Sequence, residues 1–360
     1  MASESSRPRS VLVVDDSPFI RRVVRDVLDD ASDFVVIGEA ATGYEAISQV
    51  HALSPDLLTL DVDMPSLDGL HTLGYVMSEA PRPVVMLSAA EDGGDTTMRA
   101  LELGAVDFVR KPGRADALDL ATLRERLLGA LRAASSASYR SVPMLARPRV
   151  TRRDSAPDHR TASHIVVIAA STGGPRALAE IIPALSASLG AAVVIAQHMP
   201  SGFTESLARR LDDLSALDVL EARDGDVLLA GHVYVAPGGR HTVVRRSKGG
   251  PPRLEVRAGP SPHGVSPAAD PLFTSAASAF GVRSVGVVLT GMGLDGALGL
   301  LTIRQAGGFA VVQDAATSIV YGMPLAALTR AGADAIARLE SVAEMIDVGL
   351  LARGCALRRE

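Results

Sequence analysis

Short runs rich in Val, Leu and Ile alternate with helical patterns along two stretches of this chain, 10–133 and 164 onwards, and each run ends on a polar or turn residue. That alternation constrains the fold more than any other feature. A strand, a helix and a second strand in succession pair in parallel through a right-handed crossover, so functional groups collect at the carboxyl ends of the strands. In the first stretch strands are expected at 11–14, 34–39, 57–60, 84–87 and 107–109, with a last helix at 120–131. In the second they are expected at 165–169, 192–196, 285–289 and 309–313, with helices at 204–214 and 297–306. Between 219 and 257 short runs, including 233–235 and 254–257, are separated by Gly and Pro pairs and read as inserted hairpins. Hydrophobic residues make up 47% and aromatics 3% of the chain, so the cores are built from aliphatic side chains, as parallel sheets covered on both faces require. The expected fold class is α/β: two doubly wound parallel-sheet domains, the second with a small inserted antiparallel hairpin region.

The 360 residues suit two domains. They divide as 1–133, a linker at 134–163 and 164–360. The linker loses all periodicity and gathers six Arg against two Asp, the composition of a solvated tether. A net charge of -5, spread along the chain, gives no footprint for nucleic acid or an anionic membrane. The N-terminus lacks an apolar core and no later stretch approaches a membrane span, so a cytoplasmic protein without membrane insertion is expected. Cys355 is the single cysteine, which rules out an intrachain disulfide and a Cys-rich metal site.

In the first domain Asp15 and Asp16 follow the first strand and Asp61 the third, bringing three carboxylates to one sheet edge. Oxygen ligation of this kind suits Mg²⁺. Ser88 ends the fourth strand and Lys111 follows the fifth. Such a set can carry out phosphoryl transfer, with Asp61 as nucleophile, Mg²⁺ offsetting charge, and Lys111 and Ser88 holding the phosphoryl oxygens. The motifs Leu12-Val13-Val14-Asp15-Asp16-Ser17, Leu60-Asp61-Val62-Asp63-Met64-Pro65 with Asp68-Gly69, Leu87-Ser88-Ala89 and Lys111-Pro112 make this region similar to response-regulator receiver domains. The resemblance implies that Asp61 is the phosphoacceptor, that Asp15, Asp16, Asp61 and the Asp63 carbonyl hold the metal, and that Phe108 is the aromatic that moves on activation.

In the second domain Ser171 lies in a turn between a buried strand and a helix that Pro175 can begin, where a nucleophile is exposed near positive backbone dipoles. Gln197-His198-Met199-Pro200 ends the adjoining strand and supplies an imidazole. The run Thr290-Gly291-Met292-Gly293-Leu294-Asp295-Gly296 supplies a carboxylate at a third strand end. Ser171, His198 and Asp295 can form a triad, with the N–H groups around Met292 as oxyanion donors. Their order, Ser, His, Asp, matches neither α/β-hydrolases nor chymotrypsin or subtilisin. His232, His241, His263, Asp224, Asp226 and Asp270 are weaker candidates, Asp270 reading as a helix cap before Pro271. Residues 291–296 also spell G-x-G-x-x-G, with Asp314 ending the next strand. A dinucleotide site is the rival reading, opposed by the Asp295 carboxylate standing where a pyrophosphate would sit. DNA-binding output is a second rival, opposed by the lack of a basic recognition helix.

Together with Ala170-Ser171-Thr172-Gly173-Gly174-Pro175, Tyr234-Val235-Ala236-Pro237-Gly238 and Tyr321-Gly322-Met323-Pro324, these motifs make 163–351 resemble the catalytic domain of chemotaxis protein-glutamate methylesterases. Ala169 stands where that family usually has Gly, and Pro267-Ala268-Ala269-Asp270 where Pro-Ser-Val-Asp is common. The resemblance implies a phosphorylation-activated serine hydrolase that demethylates glutamate methyl esters on methyl-accepting chemotaxis receptors, and deamidates glutamines there, for sensory adaptation. It implies a Ser171, His198, Asp295 triad with an oxyanion N–H from Met292, and no cofactor for the esterase chemistry. It further implies a chemotaxis histidine kinase as phosphodonor, and an unphosphorylated receiver that covers the active-site entrance.

Overall fold

The structure is a computed structural model that describes residues 7–88, 94–111, 117–136, 160–186, 189–246 and 249–355. Ala89 and Pro112 of the receiver motifs, and 137–159 of the expected linker, lie outside them. The described chain forms two compact units.

The first unit runs β1 (Arg9–Val14), α1 (Pro18–Asp29), β2 (Phe34–Ala40), α2 (Gly43–Leu53), β3 (Leu57–Asp61), α3 (Gly69–Glu79), β4 (Val84–Ser88), α4 (Gly94–Glu102), β5 (Asp107–Arg110) and α5 (Ala117–Ser136). The five strands pair in parallel in the order β2-β1-β3-β4-β5. Every residue of β3 and β4 is buried, which is why these strands read as unbroken apolar runs. The helices start where the sequence supplies caps. Ser17, Thr42 and Asp68 accept the N–H of Ile20, Glu45 and His71, each cap stabilising its helix by about 1 kcal/mol. The order reverses between β1 and β3, so the crevice of the doubly wound sheet opens beside Asp15 and Asp61.

The second unit runs β6 (His164–Ala170), α6 (Gly174–Ala184), β7 (Ala191–Gln197), α7 (Thr204–Leu214), β8 (Asp218–Glu221), β9 (His232–Val235), β10 (His241–Arg246), β11 (Pro252–Arg257), α8 (Ala269–Phe280), β12 (Ser284–Val288), α9 (Ala297–Gln305), β13 (Phe309–Gln313), α10 (Gly322–Ala331), β14 (Ala335–Ala337) and α11 (Val342–Ala352). Seven strands form a parallel sheet in the order β14-β13-β12-β6-β7-β9-β8. Its switch point lies between β12 and β6. Among the described residues, β10 and β11 make the expected antiparallel hairpin. Residues 233–235, read from sequence as part of a hairpin, instead pair in parallel with β7 and β8. The chain before β6 is also less free than a linker suggests: Ala162 N–H donates to Leu228 O, and two residues earlier Arg160 O accepts Ala230 N–H. No helix among the described residues is long and apolar enough to cross a membrane.

Candidate active site and phosphoacceptor site

At the crevice of the first sheet, Asp15, Asp16 and Asp61 each bring one carboxylate oxygen within 4.8 Å of the others. Lys111 crosses from the end of β5 and places Nζ 2.9 Å from Asp15 Oδ2 and against Asp61 Oδ1. Its backbone N–H donates to the carbonyl of Ser88, the buried last residue of β4. The Asp63 amide donates to Asp61 Oδ1, so the turn that carries the Asp63 carbonyl wraps the phosphoacceptor candidate. Gly69 permits this turn, because a Cβ there would lie 1.9 Å from the Asp61 carbonyl oxygen. Phe108 is buried on β5 beside Met86 of β4.

Burial, then the neighbouring Asp15 charge, pushes the Asp61 carboxyl from 3.8 up to about 6 in spite of Lys111. Burial also raises Asp15. Lys111 loses from burial but gains more from Asp61 and Asp15, so its ammonium is held above the ordinary range. Asp61 Oδ2 is buried and has no hydrogen-bond partner among the described residues. One lysine does not neutralise this edge, and its hard oxygen donors fit Mg²⁺. A carboxyl raised on folding contributes stability below its unfolded pKa and loses it as pH climbs through the folded one. The first unit is therefore expected to lose up to about 3 kcal/mol between pH 4 and pH 6 in the absence of divalent cations. Asp61→Asn should flatten that decline. Urea unfolding across this pH range, with and without Mg²⁺, checks it; a wild-type curve that stays level would refute the assignment of charge strain to Asp61.

At the switch point of the second sheet, β6 and β7 are in register to their last residues, Ala170 opposite Gln197. Ser171 and His198 therefore leave adjacent strands at the same level, tied by His198 N–H to Ala170 O at 2.9 Å. Ser171 precedes Gly173, whose φ of 78° turns the chain into α6, so the serine stands at a sharp strand-to-helix corner. His198 Nε2 bonds Asp295 Oδ2 at 2.8 Å, with both side chains buried. That leaves Nδ1 as the nitrogen available to a nucleophile. No hydrogen bond joins His198 to the Ser171 hydroxyl among the described contacts; catalytic bonds of this kind commonly tighten only when substrate is seated.

Asp295 also accepts the Ala269 N–H at 2.6 Å and the Asp270 N–H at 3.0 Å, the free amides at the start of α8. Burial alone would raise this carboxyl. The His198 bond and charge and the two amides outweigh burial and hold it below the ordinary range. It thus stays an anion facing the imidazole.

The third loop is brought to the serine by Gly291. A Cβ at Gly291 would lie 2.6 Å from Ser171 Cβ and 2.5 Å from Met323 Sδ, so only glycine allows this approach, and Met292 follows directly. Tyr321-Gly322-Met323-Pro324 buttresses the loop: Met323 N–H donates to Gly291 O, and Gly291 N–H donates to Val320 O. Thr290, buried, donates through Oγ1 to Thr172 O and through its amide to Gln313 Oε1. In the same way Tyr234-Val235-Ala236-Pro237-Gly238 packs under the histidine loop, since a Cβ at Gly238 would lie 2.3 Å from Pro200 O.

Residues 166–346 match the CheB methylesterase family, and residues 11–122 match the response regulator receiver domain. The chain belongs to the CheB methylesterase family. It joins a receiver to a methylesterase unit in one polypeptide. Similar proteins include the protein-glutamate methylesterase/protein-glutamine glutaminase of Pyrococcus abyssi, 42% identical over 95% of this chain and 94% of that one. The protein of the same name from Symbiobacterium thermophilum is 43% identical over 96% and 98%. The crystal structure of the Thermotoga maritima CheB methylesterase catalytic domain is 39% identical and has a TM-score of 0.50, covering 51% of this chain and 98% of that one.

The remaining candidates in the methylesterase unit have other duties. His232 bonds the Ala230 carbonyl, Asp224 accepts Val256 N–H and Asp226 accepts Arg223 N–H. His241 is buried, and its Nδ1 accepts Ala268 N–H. Asp270 is not the cap of α8; Ala268 occupies that position. Asp270 lies in the first turn, where its carboxylate accepts Gly299 N–H at 2.7 Å and faces His263 Nε2 at 3.1 Å. His263, Asp270 and Asp295 lie close enough together for a metal, but each carboxylate oxygen already has a donor, so the group is a hydrogen-bond network. Asp314 holds Thr317. Gln197 and Gln313 were not singled out from sequence, because their amides reach Ser171 and Thr290, 26 and 23 positions away.

Proposed function

We propose that this methylesterase hydrolyses glutamate methyl esters on methyl-accepting chemotaxis receptors through Ser171, His198 and Asp295, and that the same residues deamidate receptor glutamines. The pairing of His198 with Asp295 at 2.8 Å, one strand from Ser171, carries the reading. Ser171 Oγ attacks the ester carbonyl carbon as His198 accepts its proton. The tetrahedral oxyanion is held by backbone N–H groups of the loop carrying Met292. The imidazolium returns the proton to methoxide, methanol leaves, and an acyl-enzyme remains. Water then attacks the acyl carbon with His198 again as base, freeing Ser171 and the receptor carboxylate. From a glutamine the first leaving group is ammonia. The rival dinucleotide site is disfavoured because the Asp295 carboxylate stands at the end of the 291–296 loop, just before α9, and is committed to three donors.

The proposal includes a cytoplasmic receiver, 1–133, joined by a tether at 134–163 to the catalytic domain, 164–360. A chemotaxis histidine kinase donates phosphoryl to Asp61. Asp15, Asp16, Asp61 and the Asp63 carbonyl hold Mg²⁺, which supplies charge neutralisation at the transferring phosphoryl group. Lys111 and Ser88 bind the phosphoryl oxygens, and Phe108 repacks as they move. The population shifts towards an active esterase.

Methanol release from methylated receptor membranes tests the chemistry and the substrate together. Wild type should release methanol, and a small phosphodonor with Mg²⁺ should raise the rate several-fold. Asp61→Ala should keep the basal rate and lose the stimulation. An undiminished response in Asp61→Ala would move the phosphoacceptor elsewhere, and no methanol from wild type would reject the substrate class.

A further inference from the structure

The parallel ladder between β6 and β7 ends at the pair Ala170 and Gln197. One step beyond it the chain needs Ser171 and His198 in fixed relation, yet both residues have left the strands. A single side chain spans that gap. Gln197 is 2% exposed, and its Nε2 donates to Ser171 O at 3.0 Å and to His198 O at 3.1 Å. The amide orientation follows from these bonds, since exchanging nitrogen and oxygen would set the amide oxygen against two carbonyl oxygens.

The cost of this arrangement is visible. Gln197 Oε1 is buried with no hydrogen-bond partner among the described residues. It lies against Gly174, where a Cβ would come within 2.0 Å of that oxygen and 2.9 Å of the amide carbon. Gln313, at the end of β13, uses both ends of its amide, on Thr290 and Thr317. Gln197 does not; an apolar side chain of the same length would remove the unpaired acceptor but would take the donor from the Ser171 and His198 carbonyls.

We propose that Gln197 is a positioning residue: its amide locks the nucleophile turn to the base turn and so sets the Ser171 to His198 geometry for attack. The proposal rests on the serine-hydrolase reading of this site. Proton transfer and attack tolerate little displacement, and a shift of about 1 Å can cost about 100-fold in rate. Loss of the clamp should therefore act on the chemical step rather than on binding.

The test uses Gln197→Met, which keeps length and volume but removes donor and acceptor together, in the full chain. Steady-state hydrolysis of a small soluble carboxylic ester, the rate of Ser171 labelling by a fluorophosphonate, and the thermal midpoint of the methylesterase unit are measured side by side. The expected result is kcat and labelling rate lower by about 10- to 100-fold, KM within about twofold, and a midpoint that changes little, since removing the unpaired acceptor offsets the donor lost by the two carbonyls. Gln197→Glu, which keeps the shape but turns a carboxylate towards two carbonyl oxygens, should lose at least as much kcat. A Met variant with wild-type kcat overturns the proposal. So does a loss of kcat that merely follows a loss of folded protein, or failure of both variants to fold, since either makes Gln197 a stability residue. Wild type that is not labelled at Ser171 would sink the reading of the site itself, and that outcome is distinct from labelling that the Met variant leaves unchanged.

Discussion

Ser171→Ala is expected to lower methanol release by about 10⁴-fold or more, and His198→Ala to do the same. Alanine at 171 removes the hydroxyl assigned to attack at the corner between β6 and α6. Alanine at 198 leaves a serine hydroxyl with no base, at a pH where it does not ionise unaided. Because nucleophile and base serve one step, the double variant should be little worse than either single one. Neither change should unfold the unit. Ser171 is only partly buried, and its structural bonds are made by the backbone, its N–H to Thr290 O and its carbonyl from Gly174 N–H. Single-turnover methanol release with a circular-dichroism check for folding measures the effect. A folded single variant that keeps most of its activity, or a double variant whose loss is the product of the two, would break the triad assignment.

Strands buried on both faces were legible because their sequence is one unbroken apolar run: β6, β7 and β13 fall within a residue of expectation. The strand-end rule then located Asp15, Asp61, Ser88 and Lys111 in one crevice and Ser171, His198 and Asp295 in another, since parallel sheets bring successive strand ends together. The rule weakens where strands are short. The four residues of β9 sit among turn signals that resemble those of the β10–β11 hairpin, and only their pairing with β7 shows them to be part of the main sheet. Asp270 before Pro271 carries the local pattern of a cap, but the carboxylate is drawn away by Gly299 N–H, 29 positions distant. The Gln197 clamp was beyond reach for the same reason. Local sequence reports backbone preference and periodicity, whereas these side chains are committed to amides and carbonyls that only the folded chain delivers.

Asp295→Asn is expected to cost on the order of 10² to 10⁴-fold in kcat, less than loss of Ser171 or His198 because nucleophile and base remain. The reason lies in what the carboxylate faces. Its two oxygens meet three donors, His198 Nε2 and Ala269 N–H on Oδ2, and Asp270 N–H on Oδ1. An asparagine has one oxygen to offer. If that oxygen stays with His198 and Ala269, the new NH₂ meets the Asp270 amide donor to donor. The start of α8 then loses a hydrogen bond in a buried place, at about 1–3 kcal/mol. If the side chain flips, the NH₂ meets the Ala269 amide donor to donor and also meets His198 Nε2, which must become the unprotonated nitrogen. The proton then sits on Nδ1, the atom that has to receive it from Ser171, and the imidazole can no longer act as base. Either orientation also removes the negative charge opposite the imidazolium formed during attack. Both orientations leave one amide at the start of α8 unpaired and lower the thermal midpoint, so they separate in kcat: the first loses only the charge opposite the imidazolium, while the second also loses the base and falls further. Wild-type turnover from a folded Asp295→Asn protein would exclude Asp295 from the triad and leave the His198 pairing as a purely structural bond.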